Sequence, residues 1–100
     1  MKRAEYRISK HAIEDLNNIW VYTFKKWSKL QADRYYKLII DEIQFIAANF
    51  YSGKPYEDTR KNYRMAVVKS HLIFYRKSND HCIEIVRILN QRMDIKKHLN

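Results

Sequence analysis

The spacing of apolar residues changes character once along this 100-residue chain, near residue 61. Before that point Ile13, Leu16, Trp20, Phe24 and Trp27 form one series, and Ala32, Tyr36, Ile39, Ile43, Ile46 and Phe50 a second. Intervals of three and four put side chains on one face of an α-helix, so two amphipathic helices are predicted. Glu14, Asp15, Asn17, Asn18 and Lys25 fall off the first stripe and are expected to face solvent. After residue 61 the runs 63–69, 72–77 and 82–89 are rich in Val, Ile, Tyr and Phe. Such residues suit a pleated, half-buried surface. The breaks at Lys69-Ser70-His71 and Ser78-Asn79-Asp80 are hairpin signals, so these runs predict a three-stranded antiparallel meander.

Local chemistry supplies the boundaries. Ser9 is a candidate N-cap, because its hydroxyl can accept from an orphan N–H of the first helical turn. Ser28-x-x-Gln31 has the form of a capping box, so a second helix starts there and the pair is an antiparallel hairpin. It is expected to end near 49–52, before Gly53 and Pro55. Residues 4–8 suit an edge strand, 52–61 read as loop, and the polar tail 91–100 reads as a last short helical turn. The order β-α-α-β-β-β defines an α+β domain, a helical hairpin on a small antiparallel sheet, spanning 1–100 as one unit.

Composition narrows function. The chain has one Gly and one Cys. A glycine-rich phosphate loop needs several glycines, and a disulfide or cysteine-rich zinc site needs several cysteines, so all three are excluded. His11, His71, His81 and His98 are scattered without ligand spacing, so neither metal nor cofactor is expected. Cys82 reads as a buried, reduced thiol. No run approaches a membrane span and no apolar stretch follows the basic start Met1-Lys2-Arg3, so a cytoplasmic location without membrane contact is expected.

The formal net charge is +9, from 20 Lys and Arg against 11 Asp and Glu. Arg60, Lys61, Arg64, Lys69, Arg76 and Lys77 lie in a stretch with no acid from Lys61 to Asn79. One such residue is ordinarily just a solvated charge. The group together predicts a surface for an anionic partner. Metal-free RNA cleavage needs a base, an acid and cations. Arg64, Arg76, Arg87 and Arg92, with Tyr63, Tyr75 or a His, would meet that need, as would many basic, Tyr-rich domains.

Three stretches together are more specific. The first is Ala12-Ile13-Glu14-Asp15-Leu16-Asn17-Asn18-Ile19-Trp20-Val21-Tyr22-Thr23, followed by Trp27 and Gln31-Ala32. The second is Tyr63-Arg64-Met65 running into Ser70-His71-Leu72-Ile73-Phe74-Tyr75-Arg76. The third is Ile85-Val86-Arg87-Ile88-Leu89-Asn90-Gln91-Arg92-Met93-Asp94. With the element order, they resemble the ParE branch of the RelE/ParE superfamily of bacterial toxin–antitoxin toxins.

The resemblance implies the toxin of a two-gene module, bound and neutralised by a ParD-like antitoxin through that partner's C-terminal segment. It implies inhibition of DNA gyrase by protein contact, without catalysis or sequence-specific nucleic-acid binding. The alternative is a RelE-type endoribonuclease acting at the ribosome, using Arg64, Arg76, Arg92 and His98. Relatives of that type carry cations at positions matching Ala66 and Leu72, and a Tyr near His98; this chain has none of these. Asn90, where many relatives have His, cannot titrate near neutral pH. A third possibility is a degenerate toxin that only binds its antitoxin. Under the leading reading, antitoxin contacts are expected at Arg60, Arg64, Lys69, Tyr75, Arg76 and Arg87, and target contacts at Trp27, Arg92, Met93, Lys96 and Lys97.

Overall fold

The computed structural model describes residues 5–56, 62–79 and 82–99. Strand β1 (Glu5–Ile8) leads into helices α1 (Lys10–Lys26) and α2 (Lys29–Ala48). A single 3-10 turn, Phe50–Ser52, then leads to β2 (Lys54–Tyr56). Strands β3 (Tyr63–Val68), β4 (His71–Asn79) and β5 (Cys82–Asn90) follow, and a short helix α3 (Ile95–Leu99) ends the described chain.

Both predicted caps form. The Ser9 hydroxyl accepts from the Ala12 N–H at 3.0 Å and the Ser28 hydroxyl from the Gln31 N–H at 3.1 Å. Extended backbone at Ser28 breaks the helix after α1 and begins α2 within two residues. At the far end, the Asn49 side chain donates to the Phe45 carbonyl and closes α2.

The sheet has five strands in the order β1-β5-β4-β3-β2. The meander β3-β4-β5 is antiparallel as expected. Two features go beyond the expectation. Strand β1 pairs with β5 in parallel, so the sheet is mixed. The stretch read as loop contains β2, three residues paired with β3 at the opposite edge. Pro55 hid it, because a proline fits a sheet only at an edge, where its missing N–H costs no ladder bond.

The hairpin packs on one sheet face. Ala12, Leu16, Ile39, Ile43 and Ile46 meet Ala66, Val68, Ile73, Tyr75, Ile83, Ile85 and Ile88 there. The other face holds a smaller cluster, Tyr63, Phe74 and Leu89, capped by Leu99 and Ile95 of α3. Strict alternation along β5 would send Ile85 and Ile88 to opposite faces. A bulge reconciles them: Phe74 pairs with Arg87 but Tyr75 with Ile85, leaving Val86 as the extra residue.

The α1 stripe sits differently from its prediction. Ala12 and Leu16 are buried, whereas Ile13, Phe24 and Trp27 are exposed, Trp27 by 69%. In α2, Tyr36 is exposed and the neighbouring Tyr35 packs inward. Asp15, expected in solvent, points into the protein, and its partner lies 72 residues away.

Candidate functional site

The bulge organises one end of the sheet's outer face. Ser9 clamps it from α1: its N–H donates to the Ile85 carbonyl at 3.0 Å and its hydroxyl to the Val86 carbonyl at 2.8 Å. Further along α1, Asp15 receives Arg87 in a two-pronged pair at 2.9 and 3.0 Å, and also accepts from the Ile88 N–H at 2.9 Å. That carboxylate raises the pKa of Arg87. The guanidinium donates its remaining reach to the His98 carbonyl at 3.3 Å, tying α3 to the same point. Thus one ion pair joins α1, β5 and α3.

Beside this junction, Glu84 faces two cations. Arg76 on β4 bonds it at 3.1 and 3.0 Å, and Arg7 on β1 approaches to 3.5 Å. The sheet register places all three in one row across β1, β5 and β4. Arg76 also lies 5.7 Å above the Tyr63 ring. A cleft of about 540 Å³ opens between this row, the start of α1 and α3. Val86 and Leu99 contribute apolar surface; Arg76, Lys97, His11 and His98 contribute cationic or titratable groups.

The residues expected to bind a partner do not form one surface. Tyr75 is fully buried, which removes it from any docking role. Its hydroxyl donates to the Phe50 carbonyl at 2.7 Å and accepts from the Gly53 N–H at 3.0 Å. Arg64, its register partner on β3, donates to the carbonyls of Tyr51 and Gly53 and lies under the Phe50 and Tyr51 rings. These two side chains brace the link from α2 to β2. Arg87 is held by Asp15. Lys69 sits at the tip of the β3–β4 turn with φ of 54°. Of the described group Arg76 and Arg87 line the cleft, and Arg60 lies outside the described residues.

Of the expected target contacts, Lys97 lines the cleft. Arg92 and Met93 are exposed in the turn after β5, where the Asn90 side chain accepts from the Arg92 N–H. Trp27 stands at the hairpin tip, and Trp27, Val21, Phe24 and Leu30 are all exposed. Trp20 stacks on Phe24 at 5.3 Å and donates its indole N–H to Asp33.

Of Arg64, Arg76, Arg92 and His98, only Arg76 and His98 line the same cleft, so the four do not converge on one point. Arg64 serves the hairpin side of the sheet, Arg76 pairs with Glu84 on the outer side, and Arg92 lies on an exposed turn. Tyr63 and Tyr75 are both buried. Among the described residues no group of three or more His, Cys, Asp or Glu could hold a metal ion. No described helix is long and apolar enough to cross a membrane.

Comparison with known proteins places this arrangement. A family model described as "ParE toxin of type II toxin-antitoxin system, parDE" matches residues 6–95, from β1 to the start of α3. The chain belongs to the ParE toxin family. "Toxin ParE1" of Caulobacter vibrioides is 37% identical over 94 residues, covering 94% of this chain and 96% of that protein. "Toxin ParE1" of Mycobacterium tuberculosis is 34% identical over 96 residues, covering 96% and 98%. A solved structure titled "Chromosomal ParDE TA system from P. aeruginosa" superposes with a TM-score of 0.75. It covers 88% of this chain and 96% of its own, at 18% identity, so that likeness is one of fold. The α+β reading and the ParE resemblance both hold.

Sequence reasoning missed Asp15, Glu84 and Arg7 as members of this region. Asp15 stands inside the motif that carried the resemblance, and that was the signal available for it. Periodicity assigned it outward because nothing local to α1 marks its partner Arg87.

Proposed function

We propose that this ParE-family chain is the toxin of a type II module, acts in the cytoplasm by binding DNA gyrase, and is neutralised by an antitoxin encoded beside it. The observation that carries the module is the family match from residue 6 to residue 95. The same match, with the motifs quoted above, supports gyrase as the target.

Action by binding rather than catalysis is supported by how the cations are employed. Phosphate-transfer chemistry on RNA needs cations free to meet developing charge at one point. Here Arg64 bonds backbone carbonyls, Arg76 and Arg7 share Glu84, and Arg87 bonds Asp15. The hairpin tip has the opposite character. Trp27 and Leu30 expose apolar surface, and Lys26 lies 5.9 Å from the Trp27 ring. Aromatic and basic residues at an exposed convex tip are the kind that carry binding energy in protein interfaces.

Expression of the toxin without antitoxin tests the reading. Gyrase poisoning predicts growth arrest with induction of the DNA-break response. Rapid, codon-linked cleavage of mRNA without that response would sink it in favour of a ribosome-dependent nuclease, and harmless expression would mark a degenerate toxin.

A further inference from the structure

Helix α2 carries apolar residues on two sides. Its inward face is Ala32, Ile39, Ile43 and Ile46, all buried. At about 100° per residue, Leu30, Leu38 and Phe45 fall on the opposite side. They are 59%, 45% and 52% exposed and belong to neither core cluster. Arg34 and Asp41, both exposed, fill the gaps in this outer stripe, which has the mixed spacing of three and four that lets one helix seat against another. Arg34 has no hydrogen bond or ion pair among the described residues. Asp41 gives only Oδ2 to Lys37, at 2.9 Å. No residue of α2 lines the cleft beside α3.

The stripe is complementary to its own reverse. Leu30 and Phe45 lie eight residues before and seven after Leu38, and Arg34 and Asp41 lie four before and three after it. We propose that the outer face of α2 is a docking surface for a second copy of this chain, packed antiparallel about a two-fold axis near Leu38. Leu38 then meets the partner's Leu38, Leu30 comes level with the partner's Phe45, and Arg34 comes level with the partner's Asp41. Charge complementarity selects this occupant and this direction. An antiparallel pair sets opposite charges level twice, whereas a parallel pair would set Arg34 beside a second arginine and Asp41 beside a second aspartate. The Oδ1 that Lys37 leaves open can accept from the incoming guanidinium. A contact of this kind uses the same patch on both copies, so it closes at two. One face of a 20-residue helix is about 30 Å long and about 10 Å wide. That is well short of the roughly 800 Å² per partner of a standard interface, so dilution separates the dimer. Trp27, in the link before α2, stays outside the seam. The inference goes beyond the function proposed above and does not rest on it.

Sedimentation velocity of the purified chain over a wide range of concentration tests this. The wild type is expected to rise from the 12.3 kDa of one chain toward twice that mass. Leu38→Asp, at the axis, is expected to stay monomeric. Arg34→Glu and Asp41→Arg each set like charges level twice, and each is expected to weaken self-association tenfold or more. An equimolar mixture of those two variants restores both opposite pairs between unlike chains, and its association is expected to return to within threefold of the wild type. Lys25→Glu, an exposed change on α1, is expected to alter it less than threefold. All the substituted side chains are exposed, and thermal melts confirm that each variant is folded. A wild type that is monomeric at every concentration would overturn the proposal. So would a dimer indifferent to Leu38→Asp, or a mixture that associates no better than its two components. None of these results bears on the action against gyrase.

Discussion

Replacing Asp15 with Ala tests how much of this fold hangs on one side chain. The carboxylate accepts three hydrogen bonds, two from Arg87 and one from the Ile88 N–H. The side chains of Arg87 and Asp15 are only 19% and 12% exposed. Removing the acid strands a mostly buried guanidinium and a backbone donor. Breaking a buried pair in this way costs about 3–5 kcal/mol. Because Arg87 keeps its bond to the His98 carbonyl and some water contact, the lower end, about 3 kcal/mol, applies. A domain of this size has roughly 5–15 kcal/mol in all, so the loss is a substantial fraction. At about 4–8 °C per kcal/mol it lowers Tm by roughly 12–24 °C. Urea denaturation followed by far-UV circular dichroism measures it. The double variant Asp15→Ala with Arg87→Met should lose less than Asp15→Ala alone plus Arg87→Met alone, because no charge remains orphaned. A loss under about 1 kcal/mol, or strict additivity, would refute the claim that this pair joins three elements.

Three further outcomes follow from the same contacts. Gly53→Ala should destabilise by about 1–3 kcal/mol, since a methyl there would collide with the Tyr75 hydroxyl and come within 2.8 Å of the Met65 carbonyl; urea titration reads it. Lys69→Gly should raise stability by roughly 1 kcal/mol, because Lys69 holds φ of 54° at the β3–β4 turn, and an unchanged denaturation midpoint would contradict this. His71, bonded to the Tyr35 hydroxyl at 2.6 Å, has its pKa pushed below the usual 6.5 by burial. Its unfolded form therefore binds protons first, so stability present above pH 6.5 should fall as the pH drops through that value toward the folded pKa. That part of the acid loss should be absent from His71→Gln.

How much of this was legible in the sequence depends on the range of the interactions involved. Ser9 and Ser28 act within three residues, and both helix starts were read correctly from them. The runs forming β3, β4 and β5 carry their own strand preference and were equally plain. Strand β2 was not, because three residues around a proline have no pattern of their own and pair only once β3 is present. The bulge at Val86 is likewise invisible to alternation, since Ser9, 77 residues away, is what holds the Val86 carbonyl. Asp15 is the sharpest case. Its helix position points between the apolar stripe and solvent, and a distant arginine decides the outcome. The same applies to Arg64 and Tyr75, which read as a basic and an aromatic contact on a docking face. They are in fact struts for the Phe50–Gly53 link. The basic cluster was thus correctly seen as dense but wrongly seen as uniformly available. Backbone carbonyls occupy Arg64 and the Glu84 carboxylate occupies Arg76.

A ParE-family toxin that acts by binding should poison gyrase until its antitoxin removes it. The most direct measurement is gyrase supercoiling of relaxed plasmid with purified toxin, then with antitoxin added in increasing amounts. Poisoning by binding predicts loss of supercoiling with accumulation of cleaved DNA, and recovery of supercoiling as antitoxin reaches equivalence. Full supercoiling at every toxin excess, with cleavage of ribosome-bound mRNA by the same preparation, would contradict it.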